Sequence, residues 1–140
     1  MPTKRYQFLE HTADVCVKVY GKDLKTLFKN SAISLFEIIS QKRRGKQSEP
    51  QILAIKKSAD NIEELLINWL GELISLSETK DLIFNKFKIT KLTGKKIEAI
   101  VSGVKRENYR IKTEVKAATY HELSIEKAKT GWQAQIIFDV

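Results

Sequence analysis

The sequence predicts an α+β fold, a single domain over residues 1–140 in which mixed or antiparallel β-sheets pack against two long amphipathic helices. A chain of 140 residues fits one compact domain, since these usually run to about 100–200 residues. Two segments carry apolar residues at helical spacing, and the late part of the chain contains two successive hairpin patterns. Because parallel strands need a helical crossover, successive hairpins disfavour a doubly wound parallel sheet.

The first predicted strand leads directly into the first predicted helix. Residues 14–20 place a valine at every second position, which is the period of a half-buried strand. Gly21 then turns the chain into an amphipathic helix predicted over residues 23–40. The apolar face of this helix consists of Leu24, Leu27, Phe28, Leu35, Phe36 and Ile39.

A loop, a strand and a second helix are predicted next. Apolar residues disappear over 41–50 and Pro50 closes the segment, which predicts a long loop. Residues 52–57 form a short apolar run typical of a strand. Asp60 is a good N-cap with Glu63 three residues later, a capping-box-like arrangement that predicts the start of the second helix. Its apolar residues are Ile62, Leu65, Leu66, Trp69, Leu70, Leu73 and Ile74.

Two hairpins complete the predicted fold. In the first hairpin, strands at 87–89 and 97–101 are joined by a turn at Thr93-Gly94. In the second, strands at 122–128 and 132–139 are joined by a turn at Thr130-Gly131. In the last strand one face carries Trp132, Ala134, Ile136 and Phe138. Asp139 therefore belongs to the opposite face.

The formal charge of +8 is unevenly distributed. Residues 41–57 carry six basic and one acidic side chains and residues 86–116 carry ten and three, whereas residues 58–85 carry one and six. The basic loop at 42–46 and the basic strands predict attraction to RNA, an acidic protein or a membrane surface. The alternative is a solvated lysine-rich face, because Lys outnumbers Arg four to one and bidentate phosphate contacts favour Arg.

Composition excludes several classes of protein. The single Cys16 rules out an intramolecular disulfide scaffold, and inside a strand it is expected to be a buried small hydrophobe. One Cys and two His cannot form a zinc site without carboxylates. No apolar run reaches the roughly 18–20 residues of a membrane span, and the first residues lack the apolar region of a signal peptide, so a cytoplasmic protein is expected. GxGxxG, GxxxxGK[ST] and GxSxG motifs are absent, and no catalytic residue is predicted.

Polar residues gather at strand ends. Asp14 stands immediately before the valine-rich strand, and Asp139 is one residue from the end of the sequence. If the first and last strands are neighbours, the two carboxylates meet and the main-chain oxygens of Val140 lie beside them. An all-oxygen environment is the one that Ca²⁺, Mg²⁺ or Mn²⁺ prefers. The alternative is that both carboxylates are simply solvated.

A second polar cluster spans residues 116–121, placed just before the predicted final hairpin. It contains Lys116 and His121. From spacing alone, a lone lysine or histidine is more often structural than functional.

Three motifs occur in a fixed order along the chain. Residues 11–14, HTAD, begin an alternating strand that leads through Gly21 to an amphipathic helix; residues 114–121 read EVKAATYH; and residues 131–140 read GWQAQIIFDV. In this order, and at these distances from both ends, the motifs resemble the archease family over nearly the whole chain.

This resemblance implies a small α+β protein that is not itself an enzyme. It implies a partner of an RtcB-type RNA ligase, the GTP- and Mn²⁺-dependent enzyme that joins RNA 3′-phosphate or cyclic-phosphate ends to 5′-hydroxyls in tRNA splicing and RNA repair. In that family the protein helps the ligase to form its guanylylated intermediate and to turn over repeatedly. Contact with tRNA and GTP is then indirect, through the ligase.

The resemblance also assigns residues. It places a divalent metal on Asp14 and Asp139, with Val140 contributing through its main chain. The partner-binding candidates are Lys116, His11 and His121. The alternative function is a general RNA-binding or chaperone-like module that acts through the basic patches.

The sequence also departs from the family pattern at two places. Ser40-Gln41 stand where many members carry an acidic residue just after the first helix, and Tyr109 stands where a His precedes the EVKA segment. The first difference weakens any metal site that needs a third side-chain carboxylate. The second removes a candidate polar contact.

Overall fold

The computed structural model describes residues 4–9, 14–43 and 48–140. Helix α1 spans Leu24–Ile39 and helix α2 spans Ile62–Lys80. The predicted partner contact His11 and most of the basic loop at 42–46 lie outside the described residues. Within the described part of the chain, no helix is long and apolar enough to cross a membrane.

Nine strands lie within the described ranges. They are β1 Tyr6–Leu9, β2 Val15–Gly21, β3 Ser40–Lys42, β4 Gln51–Ser58, β5 Leu82–Leu92, β6 Lys96–Lys105, β7 Tyr109–Ile111, β8 Ala117–Ala128 and β9 Gly131–Asp139. They form a four-stranded sheet of order β1-β2-β9-β8, a three-stranded sheet of order β4-β6-β5 and a two-stranded ribbon of β3 and β7. All of these pairings are antiparallel. The predicted α+β class is confirmed.

Side-chain caps set the start of each helix. Asp23 caps α1, because its Oδ1 accepts a hydrogen bond from the Thr26 backbone N–H at 2.7 Å. In α2 the cap is Asn61, whose Oδ1 accepts from the Glu64 backbone N–H at 2.8 Å. The prediction that Asp60 caps α2 is wrong by one residue, because Asp and Asn cap equally well and only the hydrogen bond identifies the cap.

Two boundaries predicted from the sequence are also wrong. The loop expected over 41–50 begins with β3, which pairs with β7. The final hairpin begins at Ala117 and not at residue 122, so the polar cluster at 116–121 runs into β8 instead of preceding the hairpin. The sequence did not predict β3, because a strand of three residues shows no recognisable alternation and its partner β7 is distant in sequence.

One hydrophobic cluster joins both helices to the inner faces of the two larger sheets. Trp69 is fully buried in it, and its Nε1–H donates to the Phe28 carbonyl at 3.1 Å, which links α2 to α1. The inward residues of β9 are Trp132, Ala134, Ile136 and Phe138, as predicted. The intervening side chains of β9, including that of Asp139, therefore lie on the opposite face of the sheet.

Candidate functional site

Strands β2 and β9 are direct neighbours in the four-stranded sheet, so the ends of the predicted first and last strands meet. Val15 pairs with Phe138, and one further step along the same register places Asp14 opposite Asp139. Directly opposite residues on antiparallel strands have Cβ atoms about 4.5–5.5 Å apart. Both aspartates are partly buried. The register therefore brings the two carboxylates together at one end of the β2–β9 strand pair.

Packing on the inner face holds this end of the β2–β9 strand pair in place. Phe138 is fully buried, and Val15 and Val140 pack against the core. Because side chains alternate along a strand, Asp139 lies on the outer face, between Phe138 and Val140. The side chain of Val140 thus anchors the end of β9 against the core.

Lys116 lies at the same end of the sheet. Its backbone N–H donates to the Asp139 carbonyl at 2.8 Å, and the next residue, Ala117, pairs with Asp139. The Lys116 residue is exposed. Its main chain is therefore tied to β9, whereas its ammonium group is available to a partner.

The next row inward on this outer face is closed to solvent. Cys16 pairs with Ile137, and they are 3% and 1% exposed. Thr119 completes the row, with its hydroxyl donating to the Ile137 carbonyl at 3.0 Å. Burial raises the pKa of the Cys16 thiol, and the negative charge of Glu122 raises it further. Cys16 is thus a buried small side chain, as predicted.

Glu122 belongs to a large bulge that interrupts β8 beside this row. Thr119 pairs with Ile137 and the next pair is Ser124 with Gln135, so residues 120–123 oppose a single position of β9. Glu122 has a φ of 53°, in the left-handed region. Its carbonyl accepts a hydrogen bond from Gln135 Nε2 at 3.3 Å.

The bulge also places the predicted partner residue His121. Both His121 and Tyr120 are exposed on it, Tyr120 to 58%. Sequence reasoning missed Glu122, although a signal for the bulge exists. Ala118 and Ile125 both pack on the core while standing an odd number of positions apart, which a regular strand does not allow.

The register brings two candidate oxygen donors to this end of the sheet, the carboxylates of Asp14 and Asp139. Asp14 and Glu122 each take part in a further hydrogen bond, ion pair or electrostatic interaction, so neither carboxylate is free. Over residues 4–9, 14–43 and 48–140, no group of three or more His, Cys, Asp or Glu side chains is arranged to hold a metal ion. Two carboxylates fit a hard cation that completes its coordination largely with water, and not a site of three protein side chains.

The profile of the Archease protein family matches residues 6–140. The chain belongs to the archease family. The archeases of Methanosarcina acetivorans and Pyrococcus abyssi are each 36% identical to it over 98% of this chain, which corresponds to 97% and 99% of their own lengths. The names of these relatives specify no catalytic activity.

Two solved structures share the fold of this archease. The solution structure of Methanobacterium thermoautotrophicum protein 1598 matches with a TM-score of 0.77 and 29% identity, over 99% of this chain and 100% of that chain. A crystal structure from Thermotoga maritima, described as an archease and possible chaperone, matches in fold with a TM-score of 0.66 at 20% identity, over 100% of this chain and 98% of that one.

The two departures from the archease pattern lie together in the β3–β7 ribbon. Ser40 is 5% exposed, and its hydroxyl donates to the Phe36 carbonyl in the last turn of α1 at 2.9 Å. Gln41 is exposed, and Tyr109 pairs with Lys42. Neither Ser40 nor Gln41 supplies the third carboxylate that the family resemblance leads one to expect there.

Proposed function

We propose that this archease is a non-enzymatic activator of an RtcB-type RNA ligase in the cytoplasm, and that it promotes guanylylation and repeated turnover of the ligase in tRNA splicing or RNA repair. The observation that supports this most directly is the placement of Asp14 opposite Asp139, in a chain that belongs to the archease family over residues 6–140. The proposal includes a divalent cation, Ca²⁺, Mg²⁺ or Mn²⁺, at the β2 and β9 ends.

The residues at this end of the β2–β9 strand pair have distinct roles in the proposal. Asp14 and Asp139 bind the cation through their carboxylates, and Val140 contributes main-chain oxygens. A cation held by these residues would supply charge neutralisation to a nucleotide phosphate. Strand β9 is paired on both sides, so its ligands are held in a fixed position before the partner arrives.

Lys116 and the histidines are assigned to the partner. The exposed Lys116 side chain stands beside Asp139 and is suited to a phosphate or carboxylate of the ligase complex. His121, exposed on the β8 bulge, and His11 remain candidates for contact with the ligase. Contact with tRNA and GTP is then made by the ligase.

The test is multiple-turnover ligation with limiting cognate ligase. RNA with a 3′-phosphate end and RNA with a 5′-hydroxyl end are incubated with GTP and Mn²⁺, with and without this protein. Wild type should raise the number of turnovers per ligase, and Asp14→Asn and Asp139→Asn should lose most of that stimulation. Glu126→Gln is the matched control, because it removes one exposed carboxylate from β8 at the opposite end of the same sheet.

A second measurement separates the metal from the partner. Calorimetric titration with Mn²⁺ or Ca²⁺ in the absence of ligase should show binding that Asp139→Asn weakens about 10-fold or more. Circular dichroism verifies that each variant is folded. No stimulation by wild type, or full stimulation by both Asp→Asn variants, contradicts the proposed function.

A second function, of a different class, is favoured by the basic outer face of the three-stranded sheet. Lys86 and Lys88 are exposed there, and a general RNA-binding or chaperone-like module would use such cations. It predicts tight RNA binding whose affinity falls steeply with added salt. Weak binding that hardly changes with salt argues against it.

A further inference from the structure

A groove bordered by cations lies beside α1 and β5, on the three-stranded sheet and not on the sheet that carries Asp139. It has a volume of about 380 Å³. We call it the α1–β5 groove; its defining residues are Arg5, Lys29, Ile52, Lys86, Lys88 and Ile100. The ligand or partner of this groove is independent of the proposed activation of the ligase.

Positive charge dominates the described lining of the groove. Among the lining residues that the structure describes, four are cations and none is acidic. None of the four forms an ion pair with another residue in the described ranges. Elsewhere on the same sheet Lys56 pairs with Glu98 at 3.8 Å. Like charges collected at one place repel one another and are suited to an anionic occupant.

The floor of the groove is apolar and open. Ile52 is 68% exposed and Ile100 is 40% exposed. Across the sheet, Ile52 and Lys86 both pair with Ser102, and Ile100 pairs with Lys88, so each isoleucine shares a row with a lysine. An apolar centre surrounded by charged side chains is the composition of a protein–protein interface.

A second groove of about 600 Å³ continues the first. The two share Ile33, Asn85 and Phe87 in their linings, and the second adds Lys42, Lys112 and one acidic residue, Glu37. Together they offer room for several residues of an extended chain.

We propose that the α1–β5 groove binds a protein segment that presents aliphatic side chains flanked by carboxylates. RNA fits less well, because Phe87 is the one aromatic residue in the described lining of the α1–β5 groove, and at 6% exposure it offers no surface for base stacking. Phosphates would also leave Ile52 and Ile100 uncovered. Two copies meeting through the same groove would bring cations against cations.

The probe for this proposal is a fluorescein-labelled synthetic peptide, EELELEE, titrated against the protein at physiological salt with anisotropy as the readout. The matched peptide EESESEE has the same charge without the leucines and should bind about 10-fold more weakly. Oligouridylate of equal charge serves as the RNA probe and should bind more weakly than EELELEE.

Protein variants locate the binding. Lys86→Glu/Lys88→Glu should weaken EELELEE binding about 10-fold or more, and Ile52→Thr about threefold or more. Ile52 is so exposed that Thr, also β-branched, keeps the strand intact. Lys127→Glu/Lys129→Glu makes the same change of charge at exposed positions in and just after β8 and should leave the affinity unchanged.

Several results overturn the proposal. They are no binding of EELELEE, an equal loss in the Lys127→Glu/Lys129→Glu control, or tighter binding of oligouridylate than of the peptide, which would make the groove an RNA site. A dimer in sedimentation experiments that Ile52→Thr dissociates would make it an interface between copies. The ligation assay uses Asp14 and Asp139 variants instead, so failure of one proposal does not imply failure of the other.

Discussion

Gly131→Ala should destabilise the fold strongly, although it adds only one methyl group. Gly131 has a φ of 140°, which L residues rarely adopt. A Cβ at this position would collide with the Gly21 carbonyl oxygen and lie 3.0 Å from the Lys22 Cα. Those atoms are main chain, and Gly21 pairs with Trp132 at the end of the β2–β9 ladder. The neighbours therefore cannot move away without breaking strand pairing.

The magnitude follows from these two effects. A residue held in such a backbone conformation costs about 1–3 kcal/mol, and an overpacked methyl group costs about 1–3 kcal/mol. The free energy of unfolding should therefore fall by about 2–6 kcal/mol, out of a total of about 5–15 kcal/mol. At about 4 °C per kcal/mol for a chain of this size, Tm should fall by about 8–24 °C.

Urea unfolding and differential scanning calorimetry measure this change. Gly71→Ala is the matched control, because a Cβ at this exposed position in α2 would meet no atom within 4 Å beyond its chain neighbours and the backbone of its own helix. It should raise the free energy of unfolding by about 1 kcal/mol through better helix propensity. The steric reasoning is wrong if the free energy of unfolding of Gly131→Ala lies within about 0.5 kcal/mol of the wild-type value. It is also wrong if Gly71→Ala lowers the free energy of unfolding as much as Gly131→Ala does.

Three further predictions concern a helix cap, the cysteine and the core. Asp23→Ala should lower the free energy of unfolding by about 1 kcal/mol at neutral pH. The hydrogen bond from the Thr26 backbone N–H lowers the Asp23 pKa from 3.8. The stabilisation by the Asp23 carboxylate is therefore present above the unfolded-state pKa and is lost as pH falls through the folded-state pKa. Urea titrations of wild type and variant should converge in acid, and a constant difference down to pH 2 contradicts this. Cys16 should react with iodoacetamide about 100-fold more slowly in native protein than in urea, and equal rates contradict its burial. Trp69→Phe removes the hydrogen bond to Phe28 and should lower the free energy of unfolding by about 1–3 kcal/mol, whereas an unchanged urea midpoint contradicts this.

The helices and hairpins could be predicted because their signals are local. The apolar spacing of α1 lies within the helix itself, and the predicted range 23–40 differs by one residue at each end from Leu24–Ile39. Strands β1, β3 and β7 escaped prediction, since segments of three or four residues show no clear period. They are strands only because distant segments pair with them, and that pairing is tertiary.

The candidate site was predictable only in part for a similar reason. Asp14 and Asp139 could be singled out as carboxylates at strand ends, but their meeting depends on the β2–β9 pairing. Glu122 was missed because one bulge shifts its position relative to β9. Ile52 lies in an apolar run that reads alike whether its outward face is covered or open, and the structure leaves it open. Metal binding and the partner contacts of Lys116 and the histidines stay predictions.

The position of β9 also has a consequence for synthesis. This strand leaves the ribosome after every other strand described here, yet it lies between β2 and β8 and not at an edge. Until it emerges, both neighbours present unpaired main-chain groups to other chains. The contacts that it completes with β2 are among the most distant in the sequence, and such contacts form slowly. Because Asp139 belongs to β9, the carboxylate pair cannot form before β9 has been made and has paired with β2.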